Sequence, residues 1–140
     1  MPSIHLAVTD EEIARCFPVM RQLRPHLHHA RFVATVRAQE EEGYRMVYRE
    51  QDGRVEAVAG FRVYGNLVGG RILYVDDLVT EAEARSRGHG KALLDWLAER
   101  AREEGCNFLE LDSGVQRFEA HRFYLCNRMV ISSHHFRLAL

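Results

Sequence analysis

The stretch from Tyr74 to Leu97 constrains this chain more than any other. It reads Tyr74-Val75-Asp76-Asp77-Leu78-Val79-Thr80, then the small and basic run Arg85-Ser86-Arg87-Gly88-His89-Gly90-Lys91, then the apolar repeat Ala92-Leu93-Leu94-Asp95-Trp96-Leu97. β-branched and aromatic residues predict a strand, the glycines a loop, and the spacing of the leucines a helix. The first turn of a helix leaves backbone N–H groups without partners, so a loop that bares them suits an anion. Gly88 and Gly90 let the backbone approach such a ligand without a Cβ in the way. Arg85, Arg87 and Lys91 add positive charge, and phosphate is the expected ligand.

Two common phosphate fingerprints fail on this stretch. A P-loop requires Gly where Arg85 stands and Ser or Thr where Ala92 stands. A dinucleotide fingerprint starting at Gly88 requires Gly at Leu93. The pattern that fits is Arg-x-x-Gly-x-Gly, Arg85 to Gly90, which resembles the acetyl-coenzyme A signature of the GCN5-related N-acetyltransferases, the GNAT superfamily. The resemblance implies acetyl-coenzyme A as cosubstrate, its pyrophosphate held by the loop Arg85, Ser86, Arg87, Gly88, His89, Gly90, Lys91 and Ala92. It also implies that the backbone of Leu78, Val79 and Thr80 holds the pantetheine arm and supplies the oxyanion donor.

A second match lies at Ala120-His121-Arg122-Phe123-Tyr124. The family pattern Asn-x-x-Ala-x-x-x-Tyr places Ala120 and Tyr124 correctly, with Arg117 where Asn is usual. Arg117 is within the family's coenzyme-contact position, where it would reach a phosphate or pantetheine oxygen. The Gly-Phe that normally follows is replaced by Arg128-Met129. By this resemblance Tyr124 protonates the departing thiolate. The chemistry agrees, because a phenol with a pKa near ~10 can give a proton to sulfur as charge develops there.

An amine acceptor must lose a proton before it attacks, so a base is wanted. Asp76 and Asp77 sit side by side in an otherwise apolar strand and point to opposite faces unless a bulge intervenes. Glu110 and Asp112, on one face of the next predicted strand, are the competing carboxylates. His26, His28 and His29 are neighbours without a second ligand cluster, so no metal site is expected. In the family that region lines the acceptor site.

The rest of the chain supports one α/β domain over residues 1–140. A strand is predicted at 4–8 and a helix at 10–24, capped by Thr9 and kinked or divided at Pro18. A second helix follows at 29–42, closing at Gly43. Strands at 44–50, 55–64 and 71–80 come next, the first two joined by the hairpin signal Asp52-Gly53. Then come the helix 88–104, a strand 107–112, a helix 116–126 and a last strand 129–140. This order predicts a mixed, mainly antiparallel sheet flanked by helices. It is GNAT-like with a shortened C-terminal end.

Composition removes other classes. Apolar residues make up 46% and charged ones 28%, with a formal charge of −1, so there is no broad field for nucleic acid or membrane. The three cysteines, Cys16, Cys106 and Cys126, lack CxxC spacing and imply neither a disulfide framework nor zinc. No apolar run approaches membrane-spanning length, and a cytoplasmic location is the default. The resulting expectation is an N-acetyltransferase acting by direct attack, with a small-molecule amine acceptor favoured over a protein amine. By family analogy a homodimer is expected. A coenzyme-binding sensor without turnover, or a phosphate site for another nucleotide, are the rivals.

Overall fold

A computed structural model describes residues 1–140. The elements run β1 (Ser3–Leu6), α1 (Asp10–Leu23), a 3-10 turn (His29–Arg31), α2 (Phe32–Glu40), β2 (Arg45–Gln51), β3 (Arg54–Asn66), β4 (Gly70–Thr80), a 3-10 turn (Ala82–Ala84), α3 (His89–Glu103), β5 (Phe108–Leu111) and α4 (Phe118–Cys126). The five strands lie in the order β1-β2-β3-β4-β5, and the three ladders joining β1 to β4 are antiparallel. The chain separates into two compact units, Met1–Glu110 and Leu111–Leu140.

In the first unit the two faces of the sheet are covered by different helices. Tyr44, Met46, Tyr48 and Val58 join Ile13, Cys16, Phe17, Met20, Phe32 and Val36 of α1 and α2 in one buried cluster. The alternate residues of β2 face α3: Arg45 pairs with Glu104 and Arg49 with His89. Phe61 of β3 meets Trp96 edge-on at 5.8 Å on that same side. Period-two alternation in β2 and the apolar stripe Leu93, Leu94, Leu97 and Ala101 of α3 are therefore two halves of one packing arrangement.

Local signals hold where the backbone alone decides. Asp52 and Gly53 both take positive φ, 54° and 76°, as a two-residue hairpin turn requires. Thr9 and Glu12 form the reciprocal capping box of α1.

Three expectations need correction. Of the two effects expected of Pro18, a kink or a division of the helix, the division does not occur, because α1 runs unbroken from Asp10 to Leu23. Proline removes one N–H donor, and burial of Ile13, Cys16, Phe17, Val19 and Met20 on the same helix outweighs that local loss. The helix expected at 29–42 is a 3-10 turn followed by α2, which ends at Glu40. The last strand expected at 129–140 is absent: those residues carry no secondary structure, and Val130, Ile131, Phe136 and Leu138 are exposed. Alternation specifies a face for a strand, but a strand exists only where another strand takes up its backbone groups.

Candidate active site

The loop between β4 and α3 has the form an anion site needs. Gly88 is the N-cap of α3, with φ 83°, and no side chain caps the helix. A Cβ built on Gly88 would meet nothing within 4 Å, so the backbone there faces open space. Ser86 also takes positive φ, 66°, and Arg85, Ser86, Arg87 and Gly88 are exposed. The N–H of Ala92 is used by the carbonyl of Gly88. The N–H groups of His89, Gly90 and Lys91 precede that bond and have no helical acceptor.

His89 differs from its neighbours. Its ring is only 2% exposed and accepts a hydrogen bond at Nδ1 from Arg49 Nε, 3.0 Å away. Burial, then the Arg49 cation, hold its pKa below the usual histidine value. Its contribution to the loop is thus to anchor the first turn of α3 onto β2.

On β4, Asp76 and Asp77 are not free carboxylates. The register with β3 slips between Gly60 and Phe61: Gly60 faces Asp77 and Phe61 faces Val75, leaving Asp76 as the extra residue of a β-bulge. The bulge brings both carboxylates to side chains of the α1–α2 face. Asp76 receives a two-pronged pair from Arg62, Nε at 3.1 Å and Nη2 at 2.7 Å. Asp77 accepts from Arg24 Nε at 3.0 Å and from the Tyr44 hydroxyl at 2.8 Å, while Arg24 also donates to the Asp76 carbonyl. Desolvation, and after it the charge of Asp77, push the Tyr44 phenol well above its ordinary value, so it stays a donor.

Gly60 makes this arrangement possible, because a Cβ there would lie 1.8 Å from the Tyr44 hydroxyl oxygen. Sequence reasoning missed Tyr44, Arg24 and Arg62. The available signal was Gly60 itself, since glycine inside a strand marks a bulge or a close approach. Opposite β3, Leu78, Val79 and Thr80 pair in regular register with Ala59, Val58 and Ala57.

In the second unit, Tyr124 lies on α4 one turn after Ala120. Burial raises its phenol pKa, and the charge of the Arg117 guanidinium pulls in the opposite direction. Arg117 is the N-cap residue of α4. Phe123 packs edge-on to the Tyr124 ring at 5.5 Å. Asp112, one of the competing carboxylates, lies 3.5 Å from His135; Glu110 is half-buried on β5. No group of three or more His, Cys, Asp or Glu side chains gathers as a metal site would require, and no helix is long and apolar enough to cross a membrane.

Comparison with known proteins bears on the family and the fold. The model of the acetyltransferase (GNAT) family matches residues 7–127. The uncharacterized N-acetyltransferase YhdJ of Bacillus subtilis (strain 168) is 36% identical over 117 residues, 83% of this chain and 82% of that protein. An aminoalkylphosphonate N-acetyltransferase of Salmonella typhimurium (strain LT2) is 38% identical over 63 residues, 45% of this chain and 40% of that protein. Among solved structures, the aminoglycoside N-acetyltransferase AAC(6')-Iy in complex with CoA superposes with a TM-score of 0.87 at 13% identity, over 100% of this chain and 95% of that one.

Proposed function

This chain belongs to the acetyltransferase (GNAT) family, and from that premise we propose that it moves an acetyl group from acetyl-coenzyme A to a primary amine of a small molecule. The observation that carries the reading is the uncapped start of α3 behind an open, glycine- and arginine-containing loop. Free N–H groups and the helix dipole favour a pyrophosphate there, and Arg85, Arg87 and Lys91 supply countercharge. The backbone of Leu78, Val79 and Thr80 takes the pantetheine arm. The similarity to enzymes named for aminoalkylphosphonates and aminoglycosides supports a small amine as acceptor.

The amine attacks the thioester directly. Tyr124 gives its proton to the leaving sulfur, the proton that the amine loses returns through solvent to the phenolate, and the Arg117 charge favours that phenolate in the interval. Of the two β4 carboxylates, Asp77 suits the ammonium better. Its Oδ2 is met by a neutral phenol, whereas both oxygens of Asp76 are taken by one guanidinium. The exposed apolar residues Val130, Ile131, Phe136 and Leu138 support a homodimer as the working assembly.

The test is a thermal-shift titration with acetyl-coenzyme A, coenzyme A and ATP, followed by an amine panel. A ligand of the native state raises the melting temperature by mass action. A saturable rise with both coenzyme forms, absent with ATP and lost in Gly88→Glu, is expected, with turnover on at least one amine. No shift at millimolar coenzyme overturns the reading, and binding without turnover on any amine converts it to a sensor.

A further inference from the structure

Beneath the start of α3, wholly within the first unit, lies an open cleft of about 480 Å³ lined by Arg49, Arg54, Arg87 and His89, with Asp52 and Glu56 at its walls. Its arginines are not among those that hold carboxylates elsewhere in the chain. Arg15, Arg24, Arg37, Arg45 and Arg62 each hold a carboxylate. Arg49, Arg54 and Arg87 form no ion pair, although two carboxylates line the same cleft. Three guanidiniums against Asp52 and Glu56 leave the cleft with excess positive charge. Because Nδ1 of His89 accepts from Arg49, the neutral ring carries its proton on Nε2, a further donor without a protein partner.

From this convergence we infer that the cleft is a phosphomonoester site, and that it takes the 3'-phosphate on the ribose of the coenzyme. Guanidinium forks match the oxygens of a phosphate dianion, and several on one group favour a dianion over a singly charged diester. The cleft has room for a body of nucleoside size that carries the phosphate. Asp52 and Glu56 are acceptors for the hydroxyl or amino groups of that body. Arg87 belongs both to this cleft and to the loop before α3, which makes the occupant continuous with the loop's ligand. The inference rests on the reading of that loop as the coenzyme site. It adds Arg54, the first residue of β3, and Arg49 as specificity-determining residues.

Calorimetric titration of the full chain with coenzyme A and with dephospho-coenzyme A tests this directly. The wild type is expected to bind coenzyme A at least about tenfold more tightly. Arg54→Gln, at an exposed position at the start of β3 and with its folding checked by its melting temperature, is expected to shrink that ratio severalfold and leave the affinity for dephospho-coenzyme A unchanged. Equal affinity of the wild type for the two compounds overturns the inference and leaves the acetyltransferase reading intact. So does an unchanged ratio in Arg54→Gln. Binding of neither compound overturns both. A titration of the coenzyme-saturated protein with inorganic phosphate separates the sources: heat that Arg54→Gln abolishes would assign the cleft to a free phosphate ligand and overturn the coenzyme assignment.

Discussion

Burial and the charge of Arg117 act in opposite directions on the phenol of Tyr124. Burial alone makes a phenol a weaker acid; a nearby guanidinium charge favours the phenolate and restores part of the acidity. Tyr124→Phe removes the proton and is expected to lower kcat by about a hundredfold, with coenzyme affinity unchanged. Equal loss of affinity in a binding titration would sink the acid role. Arg117→Gln tests the same pair by pH. The acid works only while protonated, so activity falls as pH rises through its pKa. Removing the cation raises that pKa, so the alkaline limb of the kcat profile should move to higher pH while kcat near neutrality drops. A limb that stays put would mean Arg117 acts elsewhere.

At the scale of elements, β4 and α1 each depend on a local irregularity or cap. The β4 bulge aims Asp76 and Asp77 at the α1–α2 face, and Gly60 leaves room for the Tyr44 hydroxyl to reach Asp77. Gly60→Ala should cost about 2 kcal/mol in denaturant unfolding. A Tyr44→Phe background should not restore it, because the ring atoms Cζ and Cε1 also lie 2.3 and 2.5 Å from the added Cβ. Helix α1 starts on a carboxylate. The N–H of Thr9, then that of Val8, then the Tyr48 hydroxyl lower the Glu12 pKa from 4.5 to about 2. A depressed folded pKa adds stability that is fully present above about 4.5 and is lost as pH falls towards 2. Glu12→Gln should therefore flatten the acid slope of melting temperature between those values; an unchanged slope would place the acid sensitivity in other groups.

For the whole molecule, the family match over residues 7–127 spans both compact units. The segment after Met129 adds a run of exposed apolar side chains, and large exposed apolar patches are uncommon on monomers. Light scattering of the wild type is expected to give twice the chain mass of 16.2 kDa, and Phe136→Asp to shift it towards the monomer. A monomeric wild type at all concentrations would remove the homodimer from the proposal.

The sequence by itself determined whatever depends on a few consecutive residues. The hairpin at Asp52-Gly53, the cap at Thr9 and the strand–loop–helix around Arg85 to Lys91 are all of this kind. Backbone torsion limits and unpaired N–H groups act over one turn of chain, so residue identity is enough to read them. The tertiary structure decided which charges meet. Asp77 with Arg24 and Tyr44, Asp76 with Arg62, His89 with Arg49, and Arg54 with Arg87 on one cleft are pairings set by register and packing. The bulge at Asp76 appears only when β3 and β4 are laid side by side. The C-terminal strand failed for the same reason: alternation along Met129 to Leu140 names a face, but hydrogen bonds to a neighbouring strand must come from elsewhere in space.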